Sequence, residues 1–251
     1  MRPDSRLLRI AACCAALSAL TTLIVHLGPS FLPAAPTFES RLALVENPLY
    51  VAWLWNYILH CLLVVVSMYA VRSLAPQGRT ALSDLGFLAF VVFACAETLR
   101  SSLAIFALNR TWRVAYAGAV DEAARERARS LIEGYAGIGE ALFFVFFLAF
   151  FLGTVCYGLA FFRESGLTGG VGILFLLWAG LNLPGLVETI AGTEVLSPYL
   201  DWVVPHFQAA ARLVIGYWLF KSAAAAALNV PRAAVETPAE FSVSGRRTAS
   251  R

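Results

Sequence analysis

The sequence predicts an all-α, polytopic transmembrane bundle of six helices with both termini cytoplasmic. Two observations carry that prediction. The 251 residues are 59% hydrophobic and only 14% charged, with a mean hydropathy of +0.72, whereas a soluble domain is nearer half apolar and a quarter charged. The apolar residues are also gathered into windows centred near Leu17, Val64, Val92, Phe150, Leu177 and Val214, each of the ~20 residues a helix needs to cross the hydrocarbon.

The expected spans are about Leu7 to Leu32, Leu49 to Val71, Leu82 to Leu108, Tyr135 to Phe162, Leu167 to Ile190 and Pro205 to Phe220. They fill one membrane domain over 1–228, and no length is left for a second folded domain. The first window follows a basic start, but its apolar stretch from Leu7 to Leu27 outruns the ~7–15 residues of a signal core, so an uncleaved first helix is expected. Residues 229–251 are polar, contain Pro and Ser and lack periodicity, which predicts a disordered cytoplasmic tail.

Orientation follows from the basic residues. With the N-terminus inside, the inner segments hold Arg2, Arg6, Arg9, Arg72, Arg79, Arg163, Lys221, Arg232, Arg246, Arg247 and Arg251, against Arg41, Arg110, Arg113, Arg125, Arg127 and Arg129 outside. That asymmetry favours cytoplasmic termini and a cell inner-membrane, multi-pass protein. The long loop before the fourth span, with Asp121 as N-cap and the pairs Glu122/Arg125 and Glu126/Arg129, predicts a charged helix that continues into the span. Tyr50, Trp53, Trp55, Tyr57, Trp112, Tyr116, Tyr199 and Trp202 concentrate near the outer ends and are expected to form an interfacial belt.

Chemistry is expected of the few ionisable groups inside the spans: Glu97 and Arg100 in the third, Glu140 in the fourth, Glu188 in the fifth and Arg212 in the sixth. Each costs about 2.5–3.5 kcal/mol at a helix centre on insertion scales, so five facing lipid would oppose insertion by roughly 12–17 kcal/mol. They are therefore expected to face one another. Glu97 and Arg100 are one turn apart, and Gln208 shares a face with Arg212. With His60 nearby, this set reads as a ligand site or a proton pathway, in which Arg212 or Arg100 holds an anionic group and an acid such as Glu140 exchanges a proton. The competing reading is an ion-pair network that only fixes helix register.

Other chemistries fare less well. His26 and His60, on consecutive helices at comparable depth, are the arrangement a b-type haem would need, and give an electron-transfer subunit as the alternative. Otherwise no cofactor is implied. Cys13, Cys14, Cys61, Cys95 and Cys156 fall inside apolar windows without CxxC spacing, so neither disulfides nor a metal site are expected. There is no HExxH or GxSxG, and the glycines Gly134, Gly137, Gly139, Gly169, Gly170 and Gly172 follow no strand, so they read as helix-packing positions and not as a phosphate loop. Lys221, the lone lysine, sits at a span end and not mid-helix. The protein is accordingly read as non-enzymatic. Pro184, followed by Gly185, is expected to kink the fifth span near Asn182 and Glu188. Expected partners are the lipid bilayer and a small-molecule ligand, with no nucleic acid. The phenylalanine-rich FFVFFLAFFLG of the fourth span adds a third reading, an accessory subunit or homo-oligomer that turns this face to another chain.

The basic start before RIAACCAALSAL, the third-span string FVVFACAETLRSSLAIF, the segment GYAGIGEALFFVFFLAFFLGTVCYGLAFFRESGL and the closing PHFQAAARLVIGYWLFKS together carry a resemblance covering about Arg9 to Ser222. The chain resembles a bacterial family of multi-pass membrane proteins known as domain of unknown function 4386. The resemblance implies a bacterial inner-membrane helical bundle and transfers no activity, cofactor or site residue. The sixth span departs from that family's pattern, which more often has an acid where Arg212 stands.

Overall fold

The structure, a computed structural model, describes residues 4–192, 200 and 202–228. The tail expected over 229–251 and Tyr199 of the expected belt lie outside the described residues.

Four of the helices begin where the sequence supplies a side-chain cap. Helix α1 (Ser5–Leu27) starts at Asp4, whose carboxylate accepts from the Arg6 N–H at 2.9 Å, and runs into a 3₁₀ turn at Gly28–Phe31. The short α2 (Phe38–Ala43) is closed by a reciprocal Thr37/Ser40 capping box. Helix α3 (Pro48–Ser73) has Asn47 as cap and Pro48 in its first turn, where a missing N–H costs nothing. Helix α4 (Thr80–Ser102) continues through a π-helical segment, Leu103–Trp112, into α5 (Arg113–Ala117). The third span thus runs past the expected end at Leu108.

Helix α6 (Glu122–Phe161) begins at Asp121, which accepts from the Ala124 N–H at 2.6 Å, so the charged stretch is the helical extension the sequence predicts. Its ion pairs are Glu122–Arg125 at 3.2 Å and Arg129–Glu133 at 2.9 Å, the second replacing the expected Glu126–Arg129. Helix α7 (Gly166–Ala191) carries Pro184 without interruption and stops at Gly192, whose φ of 66° is the left-handed cap that glycine supplies. Helix α8 is Val203–Leu228.

Six helices, counting α4 with its continuation as one, are long and apolar enough to cross a membrane. This is a multi-pass membrane protein, and the six helices form a bundle. Each packs on the next in sequence, and α8 returns to α1, so the order α1, α3, α4, α6, α7, α8 closes on itself. The two ends of the bundle differ. Toward the end that bears Ser5, Ser73, Phe161 and Leu228, aromatic side chains fill the interior. Phe90 stacks on Tyr157 at 5.6 Å and meets Phe150 edge-on at 5.7 Å, while Phe161 meets Trp218 at 5.5 Å. Polar groups there are satisfied locally. The Tyr157 hydroxyl donates to the Met68 carbonyl at 2.7 Å, and Ser67 donates to the Leu63 carbonyl at 2.8 Å. Toward the opposite end, the same helices part around a cavity.

Helix contact explains only some of the glycines. A Cβ on Gly172 would strike the Phe162 nitrogen, and one on Gly169 the Glu164 carbonyl, so both permit the tight α6–α7 hairpin. A Cβ on Gly134, Gly137 or Gly170 would meet nothing within 4 Å, and one on Gly139 only its own helix's Tyr135 at 3.9 Å. The expectation of close packing therefore fails at these four. Gly153 against the Phe90 ring and Gly216 against the Ala12 carbonyl are contact points instead. Gly172→Ala is expected to lower stability by about 1–3 kcal/mol through overpacking, whereas Gly137→Ala is neutral or stabilising by up to ~1 kcal/mol through helix propensity. Reversible unfolding in detergent measures both.

Candidate functional site

The cavity, about 1480 Å³, is lined by all six spanning helices. Its floor is built by residues from the middle of the helices. Arg212 lies nine residues into α8, so about 13 Å below the start of that helix at 1.5 Å per residue. The mouth faces the end where α1 and α7 finish and α3 and α8 begin. Every residue expected to carry chemistry lines this one space: Glu97, Arg100, Glu140, Glu188, Gln208, Arg212, His60 and His26. Among the described residues two arrangements are resolved around the cavity, one at Glu97 and Arg100 and one at His60 and Arg212.

The ion pair expected within α4 is present. Arg100 donates through Nε to Glu97 Oε2 at 3.0 Å and through Nη2 to Glu97 Oε1 at 2.6 Å, and Ser101 donates to Oε1 at 3.3 Å. The guanidinium lies 5.2 Å from the Tyr57 ring centre, and the Tyr135 hydroxyl donates to the Arg100 carbonyl at 3.0 Å. Glu97 is 1% exposed, so this carboxylate is fully committed to its neighbour.

Arg212, 2% exposed, stands apart from the acids. Its Nη2 donates to His60 Nε2 at 3.3 Å, and its guanidinium sits over Trp178 at 5.2 Å. Its Nε and Nη1 have no hydrogen-bond partner among the described residues. A guanidinium can only donate, so His60 Nε2 must be the acceptor and Nδ1 must carry the proton. That proton points to Thr21 Oγ1 at 2.8 Å, and the Thr21 hydroxyl donates in turn to the Ser18 carbonyl at 3.1 Å. The chain is directional and ends on the backbone of α1. Asn56 ties the same turn to α3 by donating to the Thr21 carbonyl at 3.1 Å.

The remaining wall is apolar and aromatic. Phe143, Phe146, Phe147 and Phe150 of α6 line the cavity, as do Gly137, Gly139 and Gly185. The phenylalanine-rich stretch thus turns a substantial part of its surface inward, and the glycines with open space around them make room along this wall. Pro184 leaves Asn182, Gly185 and Glu188 on the cavity side of α7, with Asn182 donating to the Trp178 carbonyl at 2.7 Å. Sequence reasoning missed Trp53 and Tyr57. Assigned to an interfacial belt, both line the cavity, at four-residue spacing and in register with His60.

His26 and His60 both line the cavity, where a haem would need them as axial ligands. Helices α1 and α3 pack directly against each other at this depth, and both ring nitrogens of His60 are engaged, whereas an iron needs axial nitrogens from opposite faces of the macrocycle. Among the described residues no group of three His, Cys, Asp or Glu could hold a metal ion, and all five cysteines are unpaired. No family model matches the chain, and no curated protein or solved structure does either.

The two arginines that line the cavity respond to substitution with opposite sign. Glu97→Gln strips Arg100 of its counter-charge and is expected to destabilise by about 1.5–3 kcal/mol. Arg212→Met removes a charge with no carboxylate partner among the described residues and is expected to stabilise the ligand-free protein by about 1–3 kcal/mol. Thermal unfolding of the two variants in one detergent reads both signs.

Proposed function

We propose that this membrane protein binds a small amphipathic molecule in the central cavity, without chemical transformation, and that Arg212 receives its polar end. The carrying observation is the pairing of two unlike surfaces in one space. The floor presents a buried guanidinium with unsatisfied donors, and the wall presents phenylalanine. Concave, mostly aromatic pockets with a few convergent polar groups are the usual form of a ligand site. Of the two arginines, Arg212 is the one without a carboxylate partner among the described residues, whereas Arg100 is paired with Glu97.

Ligand binding is favoured over proton transfer across the bilayer. Below Arg212 the polar chain ends at the Ser18 carbonyl, and the half of the bundle beyond is closed by Phe90, Tyr157, Phe161 and Phe175, all fully buried. In a bacterial inner membrane with the termini inside, the orientation favoured by the basic residues, the mouth would open to the outer face.

Gly137→Phe tests the reading. A Cβ there meets no neighbour within 4 Å and the residue lines the cavity, so the ring is expected to take up cavity space. Native mass spectrometry of protein extracted in mild detergent is expected to show a bound small molecule in the parent protein and its loss in the variant, with thermal stability of the ligand-free protein unchanged. Equal occupancy in both would reject the cavity as the binding site. A Soret band in the purified sample would instead favour the haem reading.

A further inference from the structure

A second depression lies on the outside of the bundle, in the seam between the end of α1 and the start of α3. It measures about 910 Å³ and is lined by Ile24, Gly28, Leu49, Trp53, Leu59 and Leu62 among others. Ile24, Leu49, Leu59 and Leu62 are exposed there on helices that span the membrane, so alkyl chains are the solvent of this groove. One residue lines both spaces. Trp53 faces the groove on one side and the central cavity on the other.

The indole is seated in a way that fills a gap in the wall. Its Nε1–H donates to the Val25 carbonyl at 3.1 Å, its ring meets Tyr57 edge-on at 4.9 Å, and its place exists because residue 28 has no side chain. A Cβ on Gly28 would strike Trp53 Cδ1. Behind the indole, Trp53, Tyr57 and His60 follow one another down α3 to Arg212, and seven residues of helix separate Trp53 from His60, a drop of about 10 Å. That path is aromatic at the groove and cationic at its far end.

We infer that the groove is a lateral port closed by Trp53, and that the ligand is a single-chain amphiphile with an oxyanion head, taken from the bilayer. The inference rests on the reading of the central cavity as a binding site. The head passes Trp53 and Tyr57 to reach the cation at Arg212, and the chain lies against the phenylalanine wall. A single alkyl chain matches a port that one side chain, Trp53, closes. A carboxylate or phosphate head fits because every unsatisfied group on Arg212 is a donor.

The test uses the full-length protein in phosphatidylcholine nanodiscs with laurate as probe, following exchange of bound laurate for its deuterated form by native mass spectrometry. Ala52→Trp and, separately, Leu59→Trp fill the groove from the lipid side without touching the cavity. Each is expected to slow exchange by about tenfold while equilibrium occupancy changes by less than about twofold, because a port affects both rates alike. Trp53→Ala is expected to speed exchange by about tenfold. Dodecyl phosphate should compete with laurate, dodecyltrimethylammonium and dodecanol should not, and Arg212→Gln should abolish binding. Unchanged exchange in both groove-filling variants would overturn the lateral port and leave the cavity reading standing. Competition by dodecanol equal to that of dodecyl phosphate would overturn the oxyanion head. Failure of laurate to bind the parent protein, or equal binding by Gly137→Phe, would overturn the cavity reading and this inference with it.

Discussion

A charge buried in hydrocarbon has to be compensated, and the bundle does this completely for one arginine and incompletely for the other. Arg100 has a carboxylate one turn away that accepts through both oxygens, so the pair is nearly neutral. Arg212 has an imidazole nitrogen and an indole face, which soften the desolvation of a cation without supplying a negative charge. The architecture of the open half follows from that difference. His60 is oriented by Thr21 so that its lone pair meets Arg212, and Asn56 holds α1 and α3 together at that level. The acids Glu140 and Glu188 line the same cavity without joining a salt bridge to Arg212 among the described residues.

The closed half supplies the rigidity that such a site needs. Helices in lipid gain little from burying apolar surface, so their association depends on close packing and on hydrogen bonds between them. Here the packing is aromatic and reaches across the bundle, with Phe90, Phe150, Tyr157 and Trp178 linking α4, α6 and α7, and Trp218 joining α8 to Phe161. Gly153 brings α6 onto the Phe90 ring of α4, and Gly216 brings α8 onto the Ala12 carbonyl of α1. A guanidinium fixed by packed neighbours loses little freedom when it meets a ligand, which is what makes a preformed site economical.

How much of this was readable in the residues divides along a physical line. Hydropathy over ~20 residues is a local property, so the six spans, and Asp121 as the start of a helical extension, were legible. The cost of charge in lipid is also local, and it placed the ionisable side chains around one interior space. What that interior looks like depends on neighbours far apart in the chain. Gly137 and Gly172 are indistinguishable as letters, yet one borders open volume and the other a hairpin backbone. Trp53 and Tyr57 sit near a span end, as belt residues do, but the rotation of α3 turns them inward. The π-helical turn at Leu103–Trp112 also escaped hydropathy, although Thr111 marks it by donating to the Phe106 carbonyl five residues back at 3.0 Å.

The size of the cavity bears on why its polar residues are where they are. A cavity of about 1480 Å³ that opens at one end of the bundle is filled by whatever surrounds that end. A space that large persists only if something fills it, and the lining decides what does. A wholly aromatic lining would favour collapse of the helices or free exchange with lipid tails. Arg212, Gln208, Glu140 and Glu188 give water and polar head groups a reason to enter, while Phe143, Phe147 and Phe150 keep that water from being the best occupant. Neither surface alone would hold the space open against the packing forces of the closed half. Together they make a molecule with one polar and one apolar end the filling that leaves the fewest groups unsatisfied.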